Sequence, residues 1–215
     1  MLLGAFLLVA YPNTWPIPKH LQPNRCIFVD SNARLLPLNA YIMASSLKNL
    51  SEYNESNIPS GKEKSFGIVV SEWNSHITHA LYEGCVETLK KHEVDEDNIH
   101  VVQVPGSFEL PAGAKMLAGY HKLDAVICLG CVIKGETKHD EYINQAVANG
   151  LTTLGLASGI PCIFGVLTPN TEEQAQERAG GKHGNKGVEA AATALRMADL
   201  RSSLKSTKSS IGFGK

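Results

Sequence analysis

The chain has little charge to spare and no framework of cysteines. Lys and Arg number 20 against 21 Asp and Glu, a net charge of −1 over 215 residues. No basic surplus is available to neutralise a polyanion, so nucleic acid is excluded as a partner on bulk charge. The five cysteines, Cys26, Cys85, Cys128, Cys131 and Cys162, form an odd set without disulfide-framework spacing. They read as small buried hydrophobes in a reducing compartment. Cys128 and Cys131 make a lone C-x-x-C pair, with no second pair and no spaced histidines. A zinc or redox site needs more ligands, or more exposure, than a strand end offers, so no metal is expected. Long apolar runs are also missing. The opening LLGAFLLVAY is too short to span a bilayer and has neither a basic flank nor an A-x-A cleavage site.

What is present divides near Lys64. Residues 1–63 lack sustained periodicity and read as an N-terminal extension. Their first 50 positions hold Lys19, Arg25, Arg34 and Lys48 against the single acid Asp30. Two readings of this segment stand. It is an organelle transit peptide, which would place the protein in a plastid, or it lies upstream of a true start at Met43, which would leave the protein in the cytoplasm. From residue 64 to 204, strands and helices alternate, and residues 205–215 read as a disordered basic tail.

The expected strands are Phe66–Val70, Ile99–Val104, Ala125–Leu129 and Cys162–Leu167. Helices are expected on the stripe Ile77, Leu81, Cys85, Leu89, capped by Asn74 or Ser75, and from near Glu109 with Pro111 in the first turn. Others start at His139, at the capping box Thr171-Glu-Glu-Gln174, and at about Gly187. This order predicts an α/β fold, a three-layer α/β/α sandwich with a parallel four-stranded sheet. Ligands of such sheets bind beyond the carboxyl ends of the strands, and chemistry-bearing residues fall there. The richest stretch is Asp124–Tyr142. An apolar strand passes through Gly135-Glu136-Thr137 into a helix at His139, which leaves backbone N–H groups for an anion beside a proton-transfer group. The plainer alternative, a ligand-free strand–Gly–helix turn with a solvated histidine, stays open on these residues alone.

Five blocks, FGIVVSEWN, VPGSFELP, GCVIKGETKHDEY, PCIFGVLT and EEQAQERAGGKHGNKG, occur in this order. In sequence and spacing they resemble the 6,7-dimethyl-8-ribityllumazine synthase family, over roughly residues 65–204. The resemblance implies a flavodoxin-like fold. It also implies condensation of 5-amino-6-(D-ribitylamino)uracil with 3,4-dihydroxy-2-butanone 4-phosphate, the penultimate step of riboflavin biosynthesis, without metal or redox cofactor. Trp73 matches the aromatic that stacks on the pyrimidine, and Asn74 either bonds the heterocycle or caps the helix. Ser107, Phe108 and Glu109 match the turn that holds the ribityl chain and ring. Val132, Ile133 and Lys134 match the segment that pairs with the uracil by backbone. Many members have Arg where Lys134 stands, and Lys has no bidentate fork. Glu136 and Thr137 match the phosphate cradle, with Glu136 expected to offer its N–H and turn its carboxylate away. His139 matches the proton-transfer residue.

The resemblance further implies that Phe164 and the phosphate-binding Arg178 reach the site from a neighbouring subunit, with Lys182 and Lys186 adding positive potential. The family forms pentamers. The short connection Gly180–Gly187, lacking a His-rich insertion, favours a shell of sixty chains over a free pentamer. Two other functions remain: a non-catalytic flavin- or pyrimidine-binding shell protein, and a different phosphosugar enzyme on the same architecture.

Overall fold

The computed structural model describes residues 57–209, with side chains to residue 205. Met43 and both readings of the N-terminal extension fall outside the described residues. Strand β1 (Phe66–Ser71) leads into α1 (Ser75–Lys91), and β2 (Ile99–Val104) into α2 (Leu110–Tyr120). Then come β3 (Ala125–Cys131), α3 (His139–Ser158), β4 (Cys162–Leu167) and α4 (Glu172–Glu177). A small ribbon, β5 (Ala179–Gly181) and β6 (Gly184–Asn185), precedes α5 (Lys186–Ser209). The main sheet has the order β2-β1-β3-β4 with every pairing parallel. The fold is therefore α/β and flavodoxin-like.

Strands buried on both faces must be apolar along their whole length, and β1 and β3 are buried throughout. Alternate side chains feed two cores. Phe66, Ile68, Ile127 and Leu129 pack with Leu81 of α1 and Leu195 of α5. Val69, Val126 and Cys128 pack with Leu117 of α2 and Val147 of α3. The same alternation disposes of the C-x-x-C pair. Three positions apart on a strand, Cys128 and Cys131 point into opposite cores. Burial, aided by the charge of Glu172, pushes the Cys131 thiol up to about 11, and burial raises Cys128 too.

The element boundaries differ from expectation in instructive places. Strand β3 continues to Cys131, because Gly130 and Cys131 still pair with Val166 and Leu167. Helix α5 runs past Leu204 to Ser209. Ile58, assigned by sequence to the extension, packs against the α1/α5 core, and Gly61 N donates to His92 O at 2.7 Å. The capping box of α4 is opened by one residue. Thr171 Oγ1 accepts from Gln174 N at 3.3 Å, but Gln174 Oε1 accepts from Asn170 N at 2.8 Å. Asn74 occupies the N-cap of α1 without a side-chain cap bond.

The GGKHGNKG connection, which has no strand pattern, forms the β5–β6 ribbon, with Gly180 and Gly184 at positive φ. Asn185 locks it to α1, its Nδ2 donating to Ala80 O at 2.9 Å while its Oδ1 accepts from Gly187 N at 2.7 Å. The start of α5 passes so near α1 that a Cβ at Gly187 would lie 1.8 Å from Leu81 O. Backbone cannot yield there without separating the helices. Gly187→Ala is expected to cost roughly 3 kcal/mol, the upper range for overpacking. A thermal unfolding midpoint equal to that of the native chain would contradict this.

Candidate active site

The chain leaves β1 for β2 on one side, then crosses to β3 on the other. The switch point of the sheet therefore lies between β1 and β3, where the connections diverge and leave a crevice. A cleft of about 700 Å³ opens there. Trp73 and Asn74 enter it from the turn after β1, and Ser107, Phe108 and Glu109 from the turn after β2. The β3 side contributes Val132, Ile133 and Thr137, then His139 at the first position of α3.

These groups arrive in different states. Trp73 is 72% exposed, a flat face with no protein partner over it. Phe108 is also exposed, whereas Ser107 is buried at 6%. The Ser107 hydroxyl has no hydrogen-bond partner among the described residues.

The backbone after β3 divides its hydrogen bonds by parity. Val132 N donates to Leu167 O at 2.8 Å and Lys134 N to Pro169 O at 3.0 Å, both toward β4. The odd-numbered residues face the other way, as Cys131 O does in accepting from Asn74 Nδ2 at 3.0 Å. Beyond the end of β1 no strand covers that side, and Ile133 lines the cleft there. Of the three residues expected to pair by backbone, Val132 and Lys134 have already spent their N–H groups. The Lys134 side chain is exposed, and neither it nor Glu136 lines the cleft. Glu136 is exposed as well.

Among the described residues no Lys or Arg lines the cleft, while Glu109 and Asp140 do. The start of α3 opens on the same cleft. This 20-residue helix has no side-chain cap, and its first intrahelical bond is a long one, Tyr142 N to Lys138 O at 3.4 Å. Its leading N–H groups are free to hold an anion. Asp140 was missed by sequence reasoning, although a signal existed. It precedes Ile143 and Val147 on the inward stripe of α3 by three and seven positions.

Arg178 and Phe164 are not brought to the cleft of their own chain. Arg178 ends α4, 18% exposed, with Nη1 at 2.7 Å from both Glu189 Oε1 and His183 O. Glu189 Oε2 lies 3.0 Å from Lys186 Nζ. Burial pushes the Glu189 carboxyl up, but the Arg178 hydrogen bond and the Lys186 charge outweigh it and hold the group below its ordinary value. Lys182 pairs with Glu177 at 2.7 Å. Phe164 stands on the edge strand β4, 36% exposed, on the face shared with Cys128.

A switch-point cleft with an aromatic platform, an unpaired hydroxyl, a helix N-terminus and an imidazole defines a flavodoxin-like enzyme for small anionic substrates. Sequence comparison makes the assignment specific. The model of the family described as 6,7-dimethyl-8-ribityllumazine synthase matches residues 63–202. A relative from Porphyromonas gingivalis is 52% identical over 158 residues, covering 74% of this chain and 98% of its own. One from Cytophaga hutchinsonii is 56% identical over 155 residues, 72% of this chain and 97% of its own. Both carry the name 6,7-dimethyl-8-ribityllumazine synthase. The chain belongs to the 6,7-dimethyl-8-ribityllumazine synthase family, the transferases of riboflavin biosynthesis. Among the described residues no helix is long and apolar enough to cross a membrane.

Proposed function

We propose that the family's condensation runs in this cleft, completed by a second copy of the chain. The pyrimidine of 5-amino-6-(D-ribitylamino)uracil stacks on Trp73 and pairs at its edge with the Ile133 backbone. Its ribityl hydroxyls meet the Ser107 hydroxyl and the Glu109 carboxylate, with Phe108 against the ring. The phosphate of 3,4-dihydroxy-2-butanone 4-phosphate lies at Glu136 N–H, Thr137 and the start of α3.

The 5-amino group adds to the ketone carbonyl, and the carbinolamine loses water to give an imine. Loss of phosphate leaves an enol, which tautomerises to a ketone. The ribityl-bearing nitrogen attacks that ketone, and a second water leaves as the ring closes. Each step moves a proton. An imidazole can both accept and donate a proton, so His139 can serve several of them. Holding two reactants in one cleft supplies much of the remaining acceleration. The scheme uses no metal or redox cofactor.

The observation that carries this reading is the convergence of Trp73, Ser107, Ile133, Thr137 and His139 on one cleft, in a chain of this family. The absence of Lys and Arg from the lining supports the second half of the reading, since a phosphate dianion calls for a fixed cation. Arg178 of a neighbouring copy fills that need, and Phe164 of the same copy closes the ring's other face. Assembly as a pentamer, and of pentamers into a shell of sixty, follows from the family and the short β5–β6 connection. For the compartment we take the cytoplasm, or a plastid where residues 1–63 act as a transit peptide. Incubating the full chain with both substrates should yield lumazine absorbance and fluorescence with one phosphate per product. Binding of a pyrimidine or flavin without phosphate release would identify a non-catalytic shell protein instead.

A further inference from the structure

Asn74 has a geometry that substrate binding does not explain. Its backbone is left-handed, φ 59° and ψ 46°, a conformation that costs a non-glycine residue roughly 1–2 kcal/mol and that Asn tolerates better than most. At the N-cap its carbonyl accepts from Ile77 N and Thr78 N at 2.9 and 3.0 Å, yet its side chain turns away from the helix. Nδ2 instead reaches Cys131 O, 57 positions along the chain. One of its two N–H donors is therefore committed to the protein rather than to a ligand.

The bond completes a set of ties on the segment that carries the indole. On the β2 side, Glu72 N donates to Val104 O at 2.8 Å and Trp73 N to Pro105 O at 3.2 Å. On the α1 side, Thr78 Oγ1 donates to Ser71 O at 2.7 Å. On the β3 side, Asn74 ties the segment to Cys131, two positions before Ile133. We infer that Asn74 is a positioning residue that sets the spacing between the Trp73 face and the Ile133 backbone edge, and so selects a flat heterocycle of the right reach. The inference rests on the reading that these two groups hold the pyrimidine. It requires a donor at this position, because an Asp oxygen would face the Cys131 carbonyl.

The test is a double-mutant cycle in the full chain, pairing Asn74→Gly with Trp73→Ala. Glycine keeps the left-handed backbone without strain and removes only the tie. Asn74→Gly is expected to raise KM for the aminouracil about tenfold, the worth of one hydrogen bond, and to leave KM for the butanone phosphate within about twofold. Asn74→Asp should be worse than Asn74→Gly. With Trp73 already removed, adding Asn74→Gly should change KM by less than about twofold, because the effect passes through the indole. A full tenfold cost retained without Trp73 would overturn the inference in favour of direct substrate contact, and so would an unchanged KM in Asn74→Gly. A second readout needs no turnover. In a Trp15→Phe background, emission from Trp73 should become more accessible to acrylamide in Asn74→Gly, and equal quenching would also overturn the inference. Failure of the functional reading shows separately, as a native chain that forms no lumazine.

Discussion

Arg178→Ala is expected to lower kcat/KM for the phosphorylated four-carbon substrate by roughly tenfold to a hundredfold. A charge-assisted hydrogen bond is worth about 1.5–3 kcal/mol, and each 1.36 kcal/mol is about a factor of ten in rate. Arg178 is well placed to deliver that effect. One guanidinium nitrogen is held between Glu189 and the His183 carbonyl, and the guanidinium has further N–H donors for a phosphate. KM for the aminouracil should move far less, because Trp73 and Ile133 are untouched. An unaltered response to butanone phosphate concentration would remove Arg178 from the phosphate site.

The same substitution has a consequence for pH. In the native chain the Glu189 carboxyl is held below its ordinary 4.5, against the effect of burial, by Arg178 and Lys186. A depressed carboxyl contributes stability that is present above its unfolded value and lost as pH falls through its folded value. Without Arg178 much of that contribution goes, so acid unfolding should begin at higher pH. Adding Glu189→Gln to Arg178→Ala removes the carboxylate that has lost its Arg178 contact and keeps that to Lys186. That pair separates loss of the phosphate contact from loss of fold.

His139→Ala is expected to lower turnover by about 10²–10⁴-fold, the usual worth of a general acid–base group. Assembly should be unaffected, since His139 is exposed in the first turn of α3 and neither core includes it. The loss should fall on kcat for both substrates alike, unlike that of Arg178→Ala. A turnover equal to that of the native chain would exclude His139 from the proton transfers.

The fold was legible because β1, β3 and β4 are nearly continuous apolar runs. β2 and β4 begin and end where the sequence places them, and β1 and β3 differ only at their carboxyl ends. The turns that follow β1, β2 and β3 could be listed from spacing alone. Their convergence followed from a rule about strand ends, not from any one residue. Other features were hidden for physical reasons. The tie from Asn74 to Cys131 crosses 57 positions and competes with an equally reasonable local cap. The β5–β6 ribbon is two and three residues long and is built on glycines at positive φ, so no periodicity marks it. The division of N–H groups among Val132, Ile133 and Lys134 depends on where β1 stops. Arg178 and Phe164 entered only through family resemblance, because spacing in one chain says nothing of a site shared between copies.

That sharing is the centre of the account, and subunit mixing tests it most directly. His139→Ala and Arg178→Ala chains are each strongly impaired but damage opposite sides of the proposed interface. They should be unfolded together, refolded as an equal mixture, and assayed for lumazine. In a closed ring of head-to-tail contacts, random assembly places an intact cleft beside an intact Arg178 at about a quarter of the sites. The mixture should therefore recover about a quarter of native activity. A rate no higher than the mean of the two variants refolded separately would contradict the claim that two copies build each site.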